Sequence, residues 1–80
     1  MTTHKMYERN GYFTWVTGVQ LDSGKWGAYA YFERIADHSD KEFVPCMRIT
    51  ISGEWDSRQE AETAAKIDAL QMADADNTGF

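Results

Sequence analysis

The chain has one cysteine, one proline and no run of uncharged apolar residues approaching the ~20 that a membrane-spanning helix takes. The start, Met1-Thr2-Thr3-His4-Lys5, leads into no apolar segment of the secretory kind. Cys46 has no partner for an internal disulfide, so the fold is expected to rest on packing alone, as cytoplasmic proteins do. Branched aliphatics are also scarce, with two Leu, four Ile and three Val in 80 residues. Together with four Phe they make about 16% of the chain, a level that signals disorder when net charge is high. Net charge is only −5, however, and the three Trp, four Tyr and four Phe supply large apolar surfaces. Burying each such ring stabilises a fold by ~1.5–3 kcal/mol, so the chain is expected to fold around an aromatic-rich core. Eighty residues build one core, giving a single small domain over 1–80 with flexible ends at 1–10 and 75–80.

Catalytic signatures are missing as well. There is no glycine-rich phosphate loop, no H-E-x-x-H and no G-x-S-x-G, so neither an enzyme nor a cofactor is expected. Charge is unevenly placed: residues 1–53 hold six Lys/Arg against six Asp/Glu, and residues 54–80 hold two against seven. An acidic C-terminal third favours solubility and repels phosphate backbones.

What is present reads as strands followed by a helix. Met6 and Tyr7 suit a short edge strand before Asn10-Gly11, a dipeptide that favours a tight turn. From Tyr12 to Leu21 apolar residues alternate, with Phe13, Trp15, Val19 and Leu21 on one parity and Tyr12, Thr14, Val16 and Gln20 on the other. Asp22-Ser23-Gly24-Lys25 supplies a reversal, and Trp26 to Arg34 alternates again, with Trp26, Ala28, Ala30 and Phe32 opposite Tyr29, Tyr31 and Glu33. The small alanines leave room for a helix. Ile35 to Glu42 reads as a mobile loop. A third strand from about Val44 to Ser52 places Met47, Ile49 and Ile51 on its apolar side, with Pro45 at its start.

Ser57-Arg58-Gln59-Glu60 is a capping box, and the alanine-rich segment after it predicts a helix from about Arg58 to Ala73. It has two apolar stripes. Ala64, Ile67 and Leu70, with Thr63, are expected to cover the sheet; Ala61, Ala65, Ala69 and Met72 form a smoother stripe open to a partner. The expected fold is therefore α+β, a three-stranded antiparallel β-meander, four-stranded if the N-terminal strand forms, packed on one face by a single C-terminal helix.

Three constellations imitate chemistry. Asp74-Ala75-Asp76-Asn77-Thr78-Gly79 has the opening spacing of a calcium loop but lacks a carboxylate at loop position twelve, so helix capping by Asn77 or Gly79 is the better account. His38 between Asp37 and Asp40 offers three ligands in a loop without the fixed geometry that zinc needs. Cys46 and His38 form a nucleophile and base only in name, with no orienting third group in view.

One helix covers one side of a sheet. With Phe13, Trp15, Trp26, Phe32, Met47, Ile49 and Ile51 beneath it, the opposite side would present Tyr12, Thr14, Val16, Tyr29, Tyr31, Arg48 and Thr50. Tyrosine and arginine are amphipathic, rigid contact residues. Tyr12, Tyr29, Tyr31 and Arg48 are thus the candidate surface of a protein-interaction module, a homodimer being the simplest case. The alternative is a sheet-face nucleic-acid binder using Lys25, Arg34, Arg48, Tyr29 and Tyr31. Over eight residues, Lys25 to Phe32 resembles the aromatic strand of an RNA-recognition motif, a family that carries two helices where this chain has one helical pattern.

Overall fold

A computed structural model describes residues 5–39 and 43–80. Strands β1 (Tyr7–Arg9), β2 (Tyr12–Gln20), β3 (Trp26–Arg34) and β4 (Met47–Trp55) form an antiparallel sheet in sequence order, and helix α1 (Arg58–Asp74) lies on one side of it. This is the expected α+β meander with its short fourth strand present. Two tight connections set the registers. Asn10 and Gly11, at φ 51° and 84°, make the two-residue turn between β1 and β2, because both positions need positive φ. The β2–β3 turn closes with the Leu21 N–H donating to the Lys25 carbonyl.

The side of the sheet under α1 carries Tyr12, Thr14 and Val16 from β2, Ala28, Ala30 and Phe32 from β3, and Ile51 with Ile49 and Met47 from β4. This reverses the expected phase of β2. The β2–β3 register pairs Thr14 with Phe32, Val16 with Ala30 and Trp15 with Tyr31, so residues of like parity share a side. Phe13 and Trp15 therefore sit opposite the helix, and Tyr12 turns into the core at 7% exposure. The helix is rotated from expectation too. Ala61, Ala65, Ala69 and Ala73 face the sheet, all at most 1% exposed, whereas Ile67 points to solvent at 52%.

Alanine on alanine brings helix and sheet backbones close together. At Gly18 side chains of α1 press on the strand: a Cβ there would stand 2.8 Å from Arg58 Cγ and 3.2 Å from Glu62 Cγ. A side chain at this position would have to displace both, and the Gly18 N–H donates to Glu62 Oε2 at 2.8 Å, with Arg58 Nε donating to the same oxygen at 3.1 Å.

α1 starts as expected, with Ser57 Oγ accepting the Glu60 N–H at 3.1 Å. At its end Asp76 takes the left-handed conformation at φ 54°, and the N–H groups of Asp76 and Asn77 donate to the Ala73 and Met72 carbonyls. The capping residue is thus Asp76 rather than Asn77 or Gly79, in a Schellman arrangement. The expected flexible end at 75–80 is folded back against the domain. Thr78 is fully buried, Phe80 stacks on Tyr12 at 6.3 Å, and the Tyr12 hydroxyl donates to Asp76. At the other end, residues 7–9 of the expected flexible segment are β1, and residues 1–4 lie outside the described residues. The first part of the expected mobile loop is a 3₁₀ turn, Ile35–His38, and residues 40–42 lie outside the described residues.

Candidate interaction surface

The open side of the sheet is built in rows by cross-strand pairing. Phe13 stands between Glu8 of β1 and Glu33 of β3; Trp15, Tyr31 and Arg48 form the next row; Thr17, Tyr29 and Thr50 form the third. Within the second row the rings of Trp15 and Tyr31 stack with centroids 5.3 Å apart and planes 4° from parallel. The Arg48 guanidinium reaches diagonally to the third row and sits 4.7 Å over the Tyr29 ring. Such a ring stack and such a cation–π contact each contribute about 0.5–1.5 kcal/mol at a partly exposed site. At the β3 end, His38 Nε2 donates to the Glu33 carboxylate at 3.1 Å and its ring meets the Phe13 ring edge-on at 4.9 Å.

Three of the four sequence candidates, Tyr29, Tyr31 and Arg48, are therefore neighbours on this side. Tyr12 is not, because the β2–β3 register puts its ring under the helix against Phe32. In its place the surface gains Trp15 and Phe13. The signal for them was present in the hairpin: a three-residue reversal at Asp22-Ser23-Gly24 pairs each β2 residue with a β3 residue of equal parity.

The residues of the nucleic-acid alternative are dispersed. Lys25 sits in the β2–β3 turn and is bonded to Asp56, which raises the lysine pKa and lowers that of the carboxylate. Arg34 points to the helix side, donating to Asp37 at 2.8 Å and lying over the Phe80 ring. Arg48 alone shares the open side with Tyr29 and Tyr31, and two carboxylates, Glu8 and Glu33, share it with them.

Against protein-family models, curated proteins and solved structures, the chain finds no match. Among the described residues no three His, Cys, Asp or Glu side chains converge as metal ligands, and no helix is long and apolar enough to cross a membrane. Asp40 of the His38 constellation lies outside the described residues. Cys46 is exposed, and its pKa is raised, first by desolvation and then by the negative charge of Glu33. That environment slows thiolate chemistry rather than promoting it.

Proposed function

We propose that this chain is a small non-catalytic interaction module that associates through the open side of its sheet, in the simplest arrangement with a second copy of itself. The observation that carries the reading is the parallel stack of Trp15 on Tyr31 beside Arg48 on Tyr29. These are the residue types that anchor protein interfaces, held rigid by their neighbours before any partner arrives. The face bears both signs of charge. A two-fold arrangement that sets Arg48 of one copy near Glu33 of the other is self-complementary, as a symmetric dimer requires. A free thiol and the lack of any disulfide suit a reducing compartment such as the cytoplasm. Nucleic-acid binding through the same face has less support, since Arg48 stands there with two carboxylates and Lys25 and Arg34 are engaged elsewhere.

The test is the mass of the chain in solution over a concentration series, by sedimentation. The expected outcome is a rise toward twice the single-chain mass, lost in Trp15→Ser and Tyr31→Ser while their circular dichroism stays native. A single-chain mass at every concentration, or a dimer untouched by both substitutions, overturns the self-association. Salt-sensitive binding to single-stranded nucleic acid would favour the other reading.

A further inference from the structure

The two long edges of the sheet are treated differently. Hydrogen bonds at both ends of the β2–β3 hairpin, from Leu21 to Lys25 and from Ile35 to Gly11, show that odd-numbered β2 residues bond toward β3. The even residues of β3 then bond toward β4, where their partners are Met47, Ile49 and Ile51. Beyond the reach of β1, the free side of β2 is closed at Gly18 by the Glu62 carboxylate. On β4 the main-chain groups of Arg48 and Thr50 point away from the sheet, and no strand among the described residues pairs with them. The regular stretch ends at a bulge, where Ser52, Gly53 and Glu54 stand opposite Gly27 alone.

This open edge borders a cleft of about 390 Å³. Four consecutive β4 residues, 49–52, line it together with Asp68, Gln71 and Met72 of α1. Side chains of a strand alternate, so consecutive residues border one cavity only where it reaches the strand's edge. The cleft exists because α1 packs chiefly over β2 and β3 and reaches β4 less, leaving Ile49 half-buried. Of the residues that line it Asp68 alone is charged, which makes its rim negative. Of the carboxylates in the acidic C-terminal third, Asp56, Glu62, Asp74 and Asp76 bond to Lys25, Arg58, Arg9 and Tyr12. The other three are Asp68 in the cleft, Glu60 farther along the same flank of α1, and Glu54 in the bulge.

We propose that the β4 edge and this cleft together take up an extended segment of a partner protein, added as a fifth strand and bearing lysine or arginine at alternate positions. In such an addition, backbone bonds to Arg48 and Thr50 give affinity and alternate side chains give specificity. Residues of the added strand that face the helix lie over Ile49, Ile51 and Met72, where the methylene stem of a lysine is at home, with its ammonium beside Asp68. A second copy is the wrong occupant, since it would set one acidic rim against another.

The probe is a capped peptide of about seven residues alternating threonine and lysine, titrated into the isotope-labelled full chain and read by amide chemical shifts. Saturable shifts confined to residues 47–52 and 68–72 are expected, weakening as salt screens the rim. Asp68→Lys should weaken binding at least ~fivefold, on the order of the loss of one ion pair. Thr50→Pro should abolish it, because proline removes an outward N–H and spares the bonds to β3. Should Thr50→Pro fail to fold, the same peptide N-methylated at alternate residues, which must not bind, replaces it. Absent shifts, equal binding by the glutamate counterpart of the peptide, indifference to Thr50→Pro and to N-methylation, or shifts centred on Trp15 and Tyr31 each overturn the proposal. Trp15→Ser leaves this binding unchanged, which separates its fate from that of the open sheet face.

Discussion

Phe32 and Tyr31 are consecutive in β3 and meet opposite surroundings. Phe32 is fully buried beneath α1, and Tyr31 is half-buried on the side where no element among the described residues covers it. The comparison extends to whole faces. The covered side is made mostly of small groups, namely Ala28, Ala30, Thr14 and Val16 meeting the alanines of α1, whereas the open side holds Phe13, Trp15, Tyr29 and Tyr31. Bulk alone therefore does not decide which side of a strand becomes core. The helix presents alanines, the backbones approach closely along its middle, and of the large rings of β2 and β3 only Tyr12 and Phe32 are buried on the helix side.

The sharpest way to break this comparison is to truncate the two neighbours separately. Phe32→Ala should cost ~3–5 kcal/mol, the loss expected for a buried phenylalanine. That is a large share of the ~4–12 kcal/mol available to a domain of this size. Tyr31→Ala should cost only about 0.5–1.5 kcal/mol, mainly the lost stack on Trp15, while removing self-association. Urea unfolding of both variants at low protein concentration measures the difference. Equal costs would show that the open side is core in disguise.

A second intervention addresses the close approach itself. Ala65 is fully buried against the sheet, and Ala65→Leu inserts three carbons where the contact has no room. The expected destabilisation is about 1–3 kcal/mol. The same substitution at Ala64, on the adjoining half-buried flank, should cost less than half of that. A neutral Ala65→Leu, seen as an unchanged urea midpoint, would mean that the helix sits farther from the sheet than the Gly18 contact indicates.

Much of this was legible in the sequence. The serine cap at Ser57, the parity of β3 and of β4, and the turn at Asn10-Gly11 rest on local chemistry that tertiary context left intact. The phase of β2 and the rotation of α1 were not read, and they fail together for one reason. Both were assigned by placing the largest apolar residues inside, giving Trp15 and Ile67 to the core. The alternative pairs small with small, and the even-parity register of the β2–β3 hairpin enforces it once Ala28 and Ala30 lie under the helix. Of the candidate surface, Tyr29, Tyr31 and Arg48 followed from β3 and β4 and kept their places, and Tyr12 was displaced with its strand. The packing of 75–80 was hidden because it depends on long-range contacts, Phe80 on Tyr12 and Asp76 with the Tyr12 hydroxyl, that no local pattern signals.

The finest contrast between the two sides lies in their threonines. Thr14 sits under the helix at 1% exposure, and Thr17 belongs to the open side, yet the hydroxyl oxygen of each is buried without a hydrogen-bond partner among the described residues. A buried hydroxyl left unpaired loses its hydration and gains nothing back, whereas valine has the same shape and at least equal preference for a strand. Thr14→Val should therefore stabilise the domain by about 1 kcal/mol, an unusual direction for a core substitution. Thr17→Val should gain only a few tenths of that, because water reaches the open side whenever the rings of Trp15 and Tyr29 shift slightly. Urea midpoints of the two variants, compared with unchanged slopes, read this directly. A loss of stability in Thr14→Val would mean that its hydroxyl is bonded within the core, and the small-residue packing of the covered side would then contain a polar contact that the present geometry does not place there.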